Sequence, residues 1–151
     1  MNEIAIDSEG LKYVQFSVDG KPFGKERPKF ARQGNFVKTY TPQNTLLHEE
    51  EVAFMYAKAA KGQRFAKGKP LDIGIIAYYP IPKSTSKKKR KEMLEHRIRP
   101  TVKPDLDNVA KLIYDALNGV AWYDDNAIVD ARVQKFYSDE PRVEVSIRVV
   151  E

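Results

Sequence analysis

Between Lys103 and Asp125 the chain reads KPDLDNVAKLIYDALNGVAWYDD, with Asp105 and Asp107 at the mouth of a helical pattern and Asp124 and Asp125 beyond it. Carboxylates gathered in this way repel one another unless a proton or a divalent cation neutralises them. The stretch holds no histidine or cysteine, and oxygen donors alone suit Mg²⁺, with Mn²⁺ as a substitute, better than zinc. Two or three carboxylates can hold one or two such ions, which lower the pKa of a bound water and brace the oxygens of a phosphodiester. The chemistry implied is in-line hydrolysis without a protein nucleophile.

Each of these residues also has an ordinary use. Asp107, one residue before the helical run that starts at Asn108, can act as an N-cap. Asp105 follows Pro104, and an extended chain there would project residues 105 and 107 to one face with Leu106 opposite. One cap accounts for one aspartate and not for two on the same side. Lys111 lies four residues after Asp107 and four before Asp115. That spacing fits a surface ion-pair ladder contributing well under about 1 kcal/mol, or an ammonium group beside the acids that binds the scissile phosphate. Asp124-Asp125 reads as a turn from which a third carboxylate could reach back to Asp105 and Asp107, and only one of the pair need do so. Asp115 and Asp130 read as structural, and the lone histidines His48 and His96 receive no role.

The surroundings of the acidic motif are basic. Lys83 to Lys103 carries nine Lys or Arg against Glu92 and Glu95, a net of +7 in a chain whose total is +5, so the remainder is −2. Within it Lys87, Lys88, Lys89, Arg90 and Lys103 are expected to bind DNA, as are Lys25, Arg27 and Lys29 in a second basic stretch interleaved with aromatic residues. Such segments grip phosphates by releasing counterions. Zero cysteines exclude disulfides and thiolate sites. No apolar run approaches the roughly 18 residues that would cross a membrane, and the N-terminal residues lack a signal pattern. A folded cytoplasmic protein with no membrane or small-molecule cofactor is expected.

The elements that must position the acids follow from periodicity. Tyr13 to Val18 alternates as a strand, Asp19 to Pro22 turns, and Phe23 to Tyr40 reads as irregular. Gln43 to Lys61 is predicted helical, entered through Thr41-Pro42, with Leu46, Leu47, Phe54 and Ala57 facing inward. Leu71 to Tyr79 predicts a buried central strand. Ser84-Thr85-Ser86 caps a short basic helix from Lys87 to about His96. Asn108 to Leu117 is the clearest helix, with Val109, Leu112, Ile113, Ala116 and Leu117 on one side. Ile128 to Tyr137 and Arg142 to Val150 read as two strands joined in a hairpin by Ser138 to Pro141. The expectation is a single domain over residues 1–151 of the α/β class (α+β-like), with one mixed, partly antiparallel sheet and helices packed on it.

The spaced elements Lys103-Pro104-Asp105-Leu106-Asp107-Asn108, Lys111, Asp115 to Gly119 and Asp124-Asp125 resemble the RusA family of Holliday junction resolvases, small endodeoxyribonucleases often carried by prophages. The run Gly20-Lys21-Pro22-Phe23-Gly24-Lys25-Glu26-Arg27-Pro28 resembles that family's opening strand and basic loop. The resemblance implies a homodimer that sets two acidic sites and a basic surface against a four-way DNA junction, each subunit cutting one strand in a Mg²⁺-dependent reaction of recombination and repair. It puts the family's catalytic and metal-binding aspartates on Asp105, Asp107 and Asp125, its essential lysine on Lys111, and the first of its paired acids on Asp124. The alternative is a non-catalytic branched-DNA-binding protein whose acids are caps and turns. A phosphohydrolase of free nucleotides fits less well, because a small substrate has no use for so wide a positive surface.

Overall fold

The computed structural model describes residues 2–151. Its strands are β1 (Glu3–Asp7), β2 (Gly10–Asp19), β3 (Lys29–Gln33), β4 (Phe36–Tyr40), β5 (Leu71–Pro80), β6 (Ile128–Ser138) and β7 (Arg142–Val149). The helices are α1 (Gln43–Ala60), α2 (Lys87–Leu94) and α3 (Leu106–Leu117), with a single 3₁₀ turn at Asp125–Ala127. Five strands form one sheet in the order β1-β2-β7-β5-β6, and β3 and β4 form a separate two-stranded sheet. Three helices on a mixed sheet make this an α+β fold, as the sequence predicts.

Strict alternation builds the core. Leu71, Ile73, Ile75, Ala77 and Tyr79 of β5 are buried, as are Val143, Val145, Ile147 and Val149 of β7 and Val14 and Phe16 of β2. They meet Val52, Tyr56, Ala59 and Ala60 of α1 and Val109, Ile113, Ala116 and Leu117 of α3 in one hydrophobic cluster. β5 pairs antiparallel with β7 and parallel with β6. Parallel neighbours need a crossover connection, and here the crossover is the segment 81–127, which contains α2, α3 and every candidate acid.

Three expectations are corrected, and one strand is added. β6 and β7 do not form a hairpin: β5 lies between them, and Ser138 to Pro141 passes over its end. Alternation marks a strand without naming its partner, and the parallel pairing with β5 occupies the inner edge of β6. The stretch Phe23 to Tyr40 is not irregular throughout, since β3 and β4 pair from Lys29↔Tyr40 to Gln33↔Phe36 across Gly34-Asn35. β1, which pairs with β2, went unpredicted. On α1 the inward residues are Thr45, Val52, Tyr56, Ala59 and Ala60, whereas Leu46, Leu47, Phe54 and Ala57 are exposed. Small alanines allow close approach to the sheet, and Tyr56 buries its ring while its hydroxyl donates to the Gln63 carbonyl at 2.8 Å.

The loop after β2 is pinned to the start of α3. The Lys25 N–H donates to the Asn108 carbonyl at 2.9 Å, and a Cβ on Gly24 would fall 2.7 Å from the Pro104 Cβ and 3.1 Å from the Asn108 Cβ. Gly24→Ala is therefore expected to destabilise by roughly 1–3 kcal/mol, because a proline ring cannot swing aside. Gly74→Ala meets only the rotatable Ser146 hydroxyl, at 2.8 Å, and should cost less than about 1 kcal/mol, since alanine suits a strand better than glycine. Urea unfolding midpoints of the two variants give the comparison.

Candidate active site

Helix α3 begins two residues earlier than its apolar pattern implies, so the acids occupy different positions from those expected. Asp105 is the N-cap residue, with extended backbone, and Asp107 lies in the first turn. The N-cap reading of Asp107 is therefore excluded, and so is the extended Asp105–Asp107 segment with Leu106 opposite. The Asp105 side chain makes no capping hydrogen bond, although a carboxylate at this position ordinarily accepts backbone N–H groups. Both carboxylates are exposed, and the helix N-terminus favours negative charge there.

The residue before Asp105 is anchored to the sheet. The Tyr79 hydroxyl, at the end of β5, donates to the Pro104 carbonyl. Burial pushes the Tyr79 phenol up to about 12, and the neighbouring Asp105 carboxylate adds to the rise. On the other side lies a cleft of about 900 Å³ between the β2–β3 loop, α1 and α3. Val52, Val109 and Ile113 lie along it, and its charged residues are of both signs, Lys21, Lys25, Arg27 and Lys103 with Asp19, Glu26, Glu51 and Asp105. Phe23 and His48 stack within it, ring centroids 3.9 Å apart.

At about 3.6 residues per turn, Asp107, Lys111 and Tyr114 fall within about 60° of one another on the surface of α3. Lys111 is exposed, and among the described residues it pairs with neither Asp107 nor Asp115, so the expected ladder does not form. Asp115 pairs with Lys25 at 2.8 Å, and Lys25 also reaches Glu49 at 3.1 Å. Lys25, expected on the DNA-binding surface, is thus only 16% exposed and engaged within the fold. Burial alone would lower its pKa, but hydrogen bonds to Asp115 and Glu49 outweigh that and raise it above the ordinary 10.5.

Asp125 follows α3 in the 3₁₀ turn. Its Oδ1 accepts the Trp122 indole N–H at 2.8 Å, and Trp122 is 1% exposed. Burial raises the Tyr114 pKa, and the Asp125 charge raises it further. Asp124 is exposed. The turn is braced from α1's far end: Phe65 N–H donates to the Ala121 carbonyl, and Arg64 donates to the Gly119 carbonyl and lies 3.7 Å over the Tyr123 ring.

Among the described residues, no three acidic or histidine side chains lie close enough to form a ready-made metal cage. Asp125 does not meet Asp105 and Asp107 as the third member of a cluster. The donor set still fits Mg²⁺, which keeps several waters and is commonly held by one or two carboxylates together with substrate phosphate. Asp105 and Asp107 are two such carboxylates, and among the described residues neither side chain makes a hydrogen bond. Of the basic residues, Arg27, Lys29, Lys87, Lys88, Lys89, Arg90 and Lys103 are exposed, and Arg90 approaches Asp139 at 3.8 Å.

Sequence reasoning missed Trp122 and Tyr79, the supports of the two ends of the site. The signal for Trp122 was available as the i, i+3 spacing of the chain's one tryptophan from Asp125. The Tyr79 contact joins residues 25 apart in sequence and leaves no local pattern.

The profile of the family "Endodeoxyribonuclease RusA" matches residues 19–148. The chain is also 38% identical over 139 residues to "Uncharacterized protein YqaN" of Bacillus subtilis (strain 168), covering 91% of this chain and 96% of that protein.

Replacing Lys25 with methionine leaves Glu49 and Asp115 facing each other unneutralised, and should destabilise by about 1–3 kcal/mol at neutral pH. Folding raises the Lys25 pKa, so its contribution is complete below 10.5 and is lost as pH rises through the higher folded value. The gap in unfolding midpoint between wild type and Lys25→Met is therefore expected to narrow from pH 9 to above pH 11; a constant gap would exclude the ion pairs as its cause.

Proposed function

The chain belongs to the RusA family of endodeoxyribonucleases, and on that premise we propose that it is a Mg²⁺-dependent, structure-selective nuclease that resolves four-way DNA junctions by paired phosphodiester hydrolysis. The observation that carries the reading is the Asp105 carboxylate, which sits at a helix N-cap without a capping bond, two residues from Asp107 and on a cleft that Lys21, Arg27 and Lys103 also line. A protein that merely bound DNA would gain nothing from uncommitted negative charge facing phosphate.

Asp105 and Asp107 would hold the divalent ion, with Asp125, its carboxylate bonded to the Trp122 indole, outside that pair. When bound, the ion supplies a water of lowered pKa and neutralises charge on the phosphate. Lys111 binds the scissile phosphate from the same edge of α3. Lys103, Arg27, Lys29 and the α2 cluster Lys87, Lys88, Lys89 and Arg90 hold the DNA backbone. Two symmetric cuts in a two-fold substrate call for a two-fold homodimer, and a four-way junction in recombination and repair supplies such a substrate.

Two outcomes are expected. Asp107→Asn should slow cleavage of a labelled junction with Mg²⁺ by on the order of 10²-fold or more, with binding kept or tightened because a repelling charge is gone. Loss of binding together with folding would reduce Asp107 to a structural role, and tight binding by a wild type that never cuts would favour the binding-protein alternative. Replacing Lys87, Lys88, Lys89 and Arg90 together should weaken junction binding and flatten its dependence on salt; an unchanged slope, measured by fluorescence anisotropy, would leave that cluster a solvated face.

A further inference from the structure

The two-stranded sheet β3–β4 is separate from the main sheet, and the side chains along β4 are all exposed. Isolated hairpins are at best marginally stable in water. This one nevertheless shows Phe30, Phe36, Val37 and Tyr40 to solvent, with Phe30 72% and Phe36 78% exposed. Apolar surface of that extent, on so small an element, calls for a partner.

The charge of the hairpin specifies that partner. From Arg27 to His48 there is no aspartate or glutamate, while Arg27, Lys29, Arg32 and Lys38 are all basic. The register places Lys29, Ala31, Lys38 and Tyr40 on one face and Phe30, Arg32, Val37 and Thr39 on the other, with Phe36 at the tip beside Gly34-Asn35. Each face thus offers cations next to aromatic rings. A polyanion with exposed π-faces matches that combination, whereas a second apolar protein surface would leave four desolvated cations. The hairpin begins two residues after Arg27, which lines the same cleft as Asp105, so it extends from the rim of the acidic site.

We propose that β3–β4 is a DNA-gripping arm that reads branched structure: Lys29, Arg32 and Lys38 hold backbone phosphates while Phe30 and Phe36 stack on bases left unstacked near the branch point. The proposal rests on the nuclease reading and adds to it a cause of structural selectivity. Stacking on aromatic side chains is tolerant of base identity and unavailable from the closed stack of linear duplex, so the rings favour the branch while the cations favour any DNA.

The test uses two full-length variants, Lys29→Ser/Arg32→Ser/Lys38→Ser and Phe30→Ser/Phe36→Ser, whose melting temperatures are compared with wild type first. Affinity for a labelled four-way junction and for linear duplex of the same length is then measured in EDTA at several salt concentrations. The charge variant should bind both DNAs at least tenfold more weakly, with the slope of log K against log salt shallower by about 2–3. The ring variant should lose at least fivefold on the junction and less than twofold on the duplex. Equal losses on both DNAs by the ring variant, or none, would overturn the role of the rings, and an unchanged slope would overturn that of the cations. A ring variant that falls apart into smaller species in sedimentation would make the hairpin a self-association surface instead. A wild type that binds neither DNA would remove the nuclease reading and the arm with it, a result distinct from normal wild-type binding that the variants fail to alter.

Discussion

Parallel strands cannot be joined by a tight turn, and the pairing of β5 with β6 therefore obliges the chain to make an excursion of 47 residues, from 81 to 127. Almost everything chemical in the molecule lies on that excursion. α2 carries a run of cations, α3 carries Asp107 and Lys111 on its first two turns with Asp105 at its N-cap, and the connection back to β6 carries Asp125. Because α3 buries Val109, Leu112, Ile113, Ala116 and Leu117, its rotation about its own axis is set by the core. The edge bearing Asp107, Lys111 and Tyr114 is fixed as a consequence, and the ends of the sheet supply the rest: Tyr79 closes β5 against Pro104, and Trp122 anchors the turn before β6.

Electrostatics divides the acids into two groups. Glu49 and Asp115 are neutralised by one ammonium, Lys25, which ties α1, α3 and the β2–β3 loop together. Asp105 and Asp107 have no such partner among the described ion pairs, and the helix N-terminus gives them only partial compensation. The fold thus neutralises one pair of carboxylates from within and leaves the pair at the start of α3 open, beside a cleft lined by side chains of both signs.

What could be read in the sequence depended on whether a feature was local. The apolar face of α3 was legible because its five marker residues recur at helical spacing, and all five are buried. The start of α3 was not, because Asp105, Leu106 and Asp107 carry no inward residue to mark the first turn. β5 was legible as a strand, but its partners were not, since alternation fixes a face and says nothing of neighbours. The inward side of α1 was misread because large residues were weighted over Ala59 and Ala60, and the core accepts the small ones. The β3–β4 hairpin escaped because neither face is apolar throughout. The carboxylates, the lysine at 111 and the basic stretches were visible as residues and spacings; the diversion of Lys25 into the fold, and the supports Trp122 and Tyr79, depend on contacts that only the folded chain makes.

A divalent ion held by the acids at the start of α3 can be sought directly. Trp122 is the only tryptophan, and its indole N–H bonds to the Asp125 carboxylate, so its fluorescence reports directly on that end of the site. Titration of the DNA-free protein with paramagnetic Mn²⁺ should give saturable quenching that Mg²⁺ competes away, and that is lost in the double variant Asp105→Asn/Asp107→Asn at unchanged melting temperature. Quenching that does not saturate, or that persists equally in the double variant, would contradict a shared metal site on α3.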